Sequence, residues 1–161
     1  FHWHRKRRLS GRIEFGYFWS EFNGADAFDS WMTDTDLKYH LASHTDIDFS
    51  AQRGIHVSET VQKDTLDYYI FGGVEATLTY KRFSPFTVLV KAVYQNREYY
   101  LINEDTSMRN DDFYRISIGF DYQLKRWLTL CLDYSHSINQ SDQDIKDYKE
   151  NSVFAEVKFS I

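Results

Sequence analysis

The sequence predicts an all-β fold: an antiparallel up-and-down transmembrane β-barrel, with eight strands in 161 residues. Three observations predict it. First, one hairpin recurs three times, as YHLASHTDI, YKRFSPFTV and YQLKRWLTL. In each, a Tyr ends an alternating strand and an apolar residue follows eight positions later: Tyr39 to Ile47, Tyr80 to Val88 and Tyr122 to Leu130. The Tyr residues stand 41 and 42 positions apart, so two strands and two connections repeat as a unit. Second, apolar and polar residues alternate strictly through long segments, as half-buried strands require. Third, short connections near 43–45, 82–85 and 125–127 alternate with long polar ones near 23–30, 59–66, 101–112 and 140–150. Outer-membrane barrels have short periplasmic turns and long external loops. With eight strands, that rule puts both termini in the periplasm and the long loops outside the cell.

The elements follow from the alternation. Residues 1–10 form a basic and aromatic tail on the periplasmic side, and 11–161 form the barrel domain. The first strand, about 11–22, sets Ile13, Phe15, Tyr17 and Trp19 against Arg12, Glu14, Gly16 and Ser20. The second, about 31–42, sets Trp31, Leu37, Tyr39 and Leu41 against Asp34, Asp36, Lys38 and His40. The third, about 46–58, aligns Ile47, Phe49, Ala51, Ile55 and Val57; Arg53 interrupts the pattern, and a β-bulge at Arg53-Gly54 would return it to the polar face. The fourth, about 67–81, sets Tyr68, Ile70, Val74, Ala76, Leu78 and Tyr80 against Glu75, Thr77, Thr79 and Lys81. The fifth, about 86–100, sets Phe86, Val88, Val90, Ala92 and Tyr94 against Lys91, Gln95 and Arg97. The sixth, about 113–125, is the clearest, with Tyr114, Ile116, Ile118, Phe120, Tyr122 and Leu124 against Arg115, Ser117, Gly119, Asp121, Gln123 and Lys125. The seventh, about 128–139, sets Leu128, Leu130, Leu132 and Tyr134 against Thr129, Cys131, Asp133 and Ser135. The eighth, about 151–161, carries Val153, Ala155, Val157, Phe159 and Ile161 in phase, with Phe154, Glu156, Lys158 and Ser160 between them.

Lipid, not a second protein layer, is the expected partner of the apolar face. The strands run about 10–14 residues, longer than soluble strands and enough to cross a bilayer with tilt. Aromatics mark the ends of the apolar band: Trp19 and Trp31 near one rim, Tyr39, Tyr80, Tyr122 and Trp127 near the other. Such rings hold an apolar body and a polar tip, which suits an interface. The opposite face carries both signs of charge: Arg12, Glu14, Asp34, Asp36, Lys38, Glu75, Lys91, Arg115, Asp121, Asp133, Glu156 and Lys158. Inside a barrel these residues can pair or line water. The alternating end, Val153, Ala155, Val157, Phe159 and Ile161, is similar to the C-terminal assembly signal of outer-membrane proteins, although Ile161 replaces the terminal aromatic. That likeness makes the barrel-assembly machinery an expected partner, beside outer-membrane lipid.

Composition agrees. Aromatics reach 18%, with 12 Tyr and 13 Phe, which favours strands. A mean hydropathy of −0.57 argues against helical spans, and no window approaches the roughly 20 apolar residues one needs, but a barrel is unaffected, since there every second residue faces lipid. The net charge of −5 gives no footprint for nucleic acid. The single Cys131 cannot form an internal disulfide. The start, where His2, His4, Arg5, Lys6, Arg7 and Arg8 accompany Phe1 and Trp3, lacks a signal-peptide pattern, as expected of a mature exported chain or a fragment of a longer one.

Candidate chemistry reduces to bland alternatives. Asp142, Asp144, Asp147, Glu150 and Asn151 fail the EF-hand pattern, because the sixth position is Asp147 where Gly is needed. The His2-x-His4 pair reads as part of a polar tail. Cys131 falls among the polar-face residues as a small filler. Asp133, His136 and Ser141 accompany no nucleophile signature. No catalytic, cofactor or metal residues are therefore expected, and no cofactor.

The stretch from Asp112 to Ile161 resembles the C-terminal end of the putative beta-barrel porin 2 family of bacterial outer-membrane proteins. Tyr114-Arg115, Gly119, Asp121-Tyr122, Trp127-Leu128, Tyr134, Ser141, Tyr148 and Asn151 carry the resemblance. Weaker likeness runs upstream through Ala51-Gln52-Arg53-Gly54 and Gly11 to Gly16. The resemblance implies a porin-like conduit, associated with surface polysaccharide or small solutes. It also implies that the chain could be the last eight strands of a larger barrel, completed by further strands or subunits. Two other functions fit the residues: a non-conducting structural or adhesive small barrel, and a soluble ligand-binding barrel.

Overall fold

Alternating sequences pair with whatever lies next to them in the chain, and here every strand does so. The computed structural model describes residues 2–5, 8–22, 25–57, 67–82, 84–101 and 109–160. The strands are β1 (His2–Arg5), β2 (Leu9–Phe22), β3 (Ala25–Ala42), β4 (Thr45–Val57), β5 (Asp67–Tyr80), β6 (Phe86–Leu101), β7 (Arg109–Lys125), β8 (Leu128–Ser141) and β9 (Tyr148–Phe159). They form one antiparallel sheet in chain order, β1 to β9. Among the described residues β1 and β9 are its two edges, so the sheet is open.

The register carries the signature of the repeated hairpin. Tyr39 pairs with Ile47, Tyr80 with Val88 and Tyr122 with Leu130 as direct cross-strand partners. Because side chains alternate with period two, these pairings and those between the hairpins put the alternating apolar residues of the long strands on one face.

No described segment covers that face. Ile116, Phe120, Leu132 and Val157 lie on it and stay about half exposed. Only Tyr68, Phe113 and Cys131 are buried apolar residues among those described. A water-soluble sandwich or barrel would bury this face inside. No described helix is long and apolar enough to cross a membrane.

Three expectations are corrected. The chain has a ninth, short strand: residues 2–5, within the segment read as a tail, pair with β2 from His2↔Arg12 to Arg5↔Leu9. Residues 25–30, within the long connection expected near 23–30, are strand, because β3 begins at Ala25 and pairs with β2 through Trp19↔Asp29. Backbone pairing needs no apolar side chains, so a polar stretch opposite a long strand extends it. The Arg53-Gly54 bulge is absent. Register runs unbroken through Arg53↔Gly72 and Gly54↔Phe71. Glycines do the accommodating: a Cβ at Gly54 would stand 2.9 Å from Cζ of Phe71, while Gly72 leaves open space opposite Arg53. Arg53 therefore stays in the apolar phase and lays its guanidinium 4.7 Å from the centre of the Trp31 ring.

Candidate functional site: the charged face of the sheet

The twelve charged residues named from the sequence share the face opposite the apolar one. The register links them across the sheet, for example through Arg12↔Asp36↔Ser50↔Glu75↔Val93↔Arg115. They pair locally. Arg12 Nη2 donates to Asp34 at 2.8 Å and to Asp36 at 2.9 Å, and Arg12 Nη1 reaches Glu14 at 3.4 Å. Lys38 meets Asp48 at 3.1 Å, Lys91 meets Glu75 at 2.7 Å and Lys158 meets Glu156 at 3.3 Å. These side chains are more than a third exposed, so each pair adds little stability, up to about 1 kcal/mol. Their effect is to coat one face with fixed charge of both signs. Grooves run along it. One of about 410 Å³ is lined by Arg12, Asp36, Lys38, Asp48 and Glu75, and one of about 240 Å³ by Lys91, Arg115, Ser117, Asp133 and Ser135.

Asp121 sits on the same face, where it and Lys158 reach the buried Cys131 thiol. Asp133 lies against Gly119, its Oδ1 2.5 Å from where a Cβ would be. The face also carries groups absent from the sequence selection. Asp46 bonds His40 at 2.6 Å and Lys81 at 3.4 Å, and Arg109 bonds Asp111 at 3.0 Å. Alternation alone would have found Asp46, since it shares phase with Asp48. Arg109 and Asp111 were hidden because their segment reads as loop.

The apolar face holds Trp19, Trp31, Tyr39, Tyr80 and Tyr122. Trp127 lies in the connection after β7, with its ring stacked on Phe159 at 6.2 Å and 15°. On β9 the apolar face carries Val153, Ala155, Val157 and Phe159, while Ile161 lies outside the described residues. Every residue of β9 is exposed.

The candidate catalytic and metal groupings are not brought together. Asp133 and Ser141 face one side of β8 and His136 the other, where His136 Nδ1 meets Asn151 Oδ1 at 2.9 Å. Asp147 accepts a hydrogen bond from the Ser141 backbone N–H at 2.7 Å, and Glu150 and Asn151 point to opposite faces of β9. The side chains of His2 and His4 lie outside the described residues.

A family model described as putative beta-barrel porin 2 matches residues 3–161. No curated protein matches the chain. Among solved structures the chain is similar to a loop L8 deletion mutant of OmpT, an outer membrane protein of Vibrio cholerae, with a TM-score of 0.63 and 12% identity. The likeness covers 95% of this chain and 50% of that one, so this chain spans half its length. The fold class is thus the antiparallel up-and-down barrel of outer-membrane proteins.

Proposed function

The chain belongs to the putative beta-barrel porin 2 family, and from that premise we propose that this bacterial outer-membrane, porin-like protein is a conduit whose charged face lines the lumen. One observation carries the reading: a single open sheet has fixed charges of both signs on one face and uncovered apolar side chains on the other. Such a sheet is stable only with lipid on the second face and water on the first.

The barrel is wider than eight strands. An eight-stranded barrel leaves an interior that its own side chains fill. The open sheet, the exposed β9 edge and the likeness to half of a longer outer-membrane chain all support further strands or subunits completing the wall. In this reading the long connections face outward from the cell, the termini face the periplasm, and the β9 residues Val153 to Phe159 present the assembly signal. The cargo is a surface polymer, a polysaccharide, and no catalytic site is assigned among the described residues.

Conductance decides. The purified protein in a planar lipid bilayer should give discrete, ion-selective steps. A protein that inserts and folds without conducting is instead a structural or adhesive barrel with its lumen closed by ion pairs, the Arg12 cluster foremost.

A further inference from the structure

The two faces of the sheet exchange character near the long connections. Beyond Tyr94 and Tyr114, the face that is apolar lower down carries Asn96, Glu98, Asn110 and Asp112. Asn96 donates to Asn110 at 2.7 Å and to Asp112 at 3.1 Å, the Tyr94 hydroxyl donates to Asp112 at 2.8 Å, and Glu98 accepts from the Tyr100 hydroxyl at 2.8 Å. The face that is charged lower down there becomes aromatic. His56, Tyr69, Tyr99 and Arg109 are direct partners on four neighbouring strands. Their rings follow one another at 5.0 Å, for His56 and Tyr69, and 5.2 Å, for Tyr69 and Tyr99. The Arg109 guanidinium closes the row, 3.8 Å from the centre of the Tyr99 ring.

The next rows repeat the chemistry. Phe71 lies 6.1 Å from Tyr69. Arg97 and Arg115 flank the Phe113 ring at 5.4 and 5.0 Å. Three guanidiniums thus reach these rings; Arg109 Nη2 pairs with Asp111 at 3.0 Å, and Arg97 Nε and Nη2 donate to the neutral Gln95 Oε1 at 3.1 and 2.7 Å. Asp111 Oδ1 and Arg109 Nε are buried and lack hydrogen-bond partners. Such groups hold unspent bonding capacity, since an unmet buried polar atom costs about 1–3 kcal/mol. His56 remains exposed, and Tyr69 and Tyr99 are half buried, so the row presents ring surface.

Ring faces in register, an excess of guanidinium and tyrosine hydroxyls at one mouth match one ligand chemistry. A pyranose has a C–H face that an aromatic ring covers and hydroxyls that need polar partners. A sugar carboxylate pairs with guanidinium in a forked geometry. We infer that the His56–Tyr69–Tyr99–Arg109 row is a binding subsite for an acidic saccharide. Tyr69 and Tyr99 take the ring face, and Arg97 and Arg109 take the carboxylate. The inference rests on the reading of the charged face as the lumen of a polymer conduit.

The test uses the full chain in detergent micelles, with titration calorimetry against oligogalacturonate and against maltohexaose. Oligogalacturonate should bind and maltohexaose should bind about tenfold more weakly or not at all. Tyr69→Ala with Tyr99→Ala should weaken the acidic oligomer about tenfold, the usual size of a lost aromatic anchor. Tyr69→Phe, which keeps the ring, should bind nearly as the parent does. Arg97→Gln should weaken the acidic oligomer and leave the neutral one unchanged, and it carries the test should the double Ala variant fail to fold. Tyr68→Ala with Tyr100→Ala is the control, because that pair stacks at 5.1 Å on the opposite face and should change nothing. Equal binding of both oligomers, no binding, or equal loss in the control overturns the subsite. Bilayer conductance of the same preparation separates the two readings: conduction without binding sinks the subsite alone, and binding without conduction sinks the conduit alone.

Discussion

Ile118→Arg against Ser117→Arg tests the assignment of faces. Ile118 lies on β7 between Val90 and Tyr134, four residues from Tyr114 and four from Tyr122. At about 3.4 Å per residue each interval is ~14 Å along the strand, and a tilt of about 40° leaves roughly 10 Å of depth on either side. The two tyrosines then bound an apolar band close to the ~25 Å usual for such barrels, with Ile118 at its midplane. A charge there costs about 2–4 kcal/mol. Ser117, one residue away, sits between Lys91 and Ser135 on the charged face. An arginine there meets a like charge in Lys91, an effect of at most about 1 kcal/mol between exposed groups. A gap of about 2 kcal/mol is a roughly 30-fold difference in the folding equilibrium. Guanidinium titration of both variants in lipid vesicles, followed by tryptophan fluorescence, measures it. Equal costs, or a larger cost at Ser117, would refute the phase on which the whole reading stands.

Other consequences follow from the same geometry. The chain should fold in micelles or vesicles and not in plain buffer; a folded, monodisperse monomer in buffer by circular dichroism would contradict the uncovered apolar face. Gly54→Ala should cost about 1–3 kcal/mol through overpacking against Phe71, and Phe71→Leu should relieve most of it in a double-mutant cycle; an additive result would remove the explanation for the unbroken register at Arg53. Glu75→Gln should change stability by less than about 1 kcal/mol, because the pair with Lys91 is exposed, yet shift the reversal potential toward anions in a bilayer; an unmoved potential would take Glu75 out of the lumen. An epitope inserted at Gln143 should be reached by antibody on intact cells and one at Ser84 should not, and the opposite pattern would invert the topology.

Much of the fold was legible because a strand's side-chain period and a hairpin's register are local properties. Tyr39 with Ile47, Tyr80 with Val88 and Tyr122 with Leu130 each lie within one hairpin, so their pairing follows from spacing alone. Once those registers are set, period two sends Ile118 to one face and Ser117 to the other, and the twelve charged residues fall together. What the tertiary structure decided depends on strands remote in the chain. Arg53 stays in the apolar phase because Gly72 leaves room opposite it and Trp31 supplies a ring. Residues 25–30 are strand because β2 offers them partners. The aromatic row needs four strands in register, and its members are separated by connections whose polarity says nothing of alignment. A residue's face is written in its neighbours along the chain; what it meets on that face is set by backbone pairing between segments far apart in sequence.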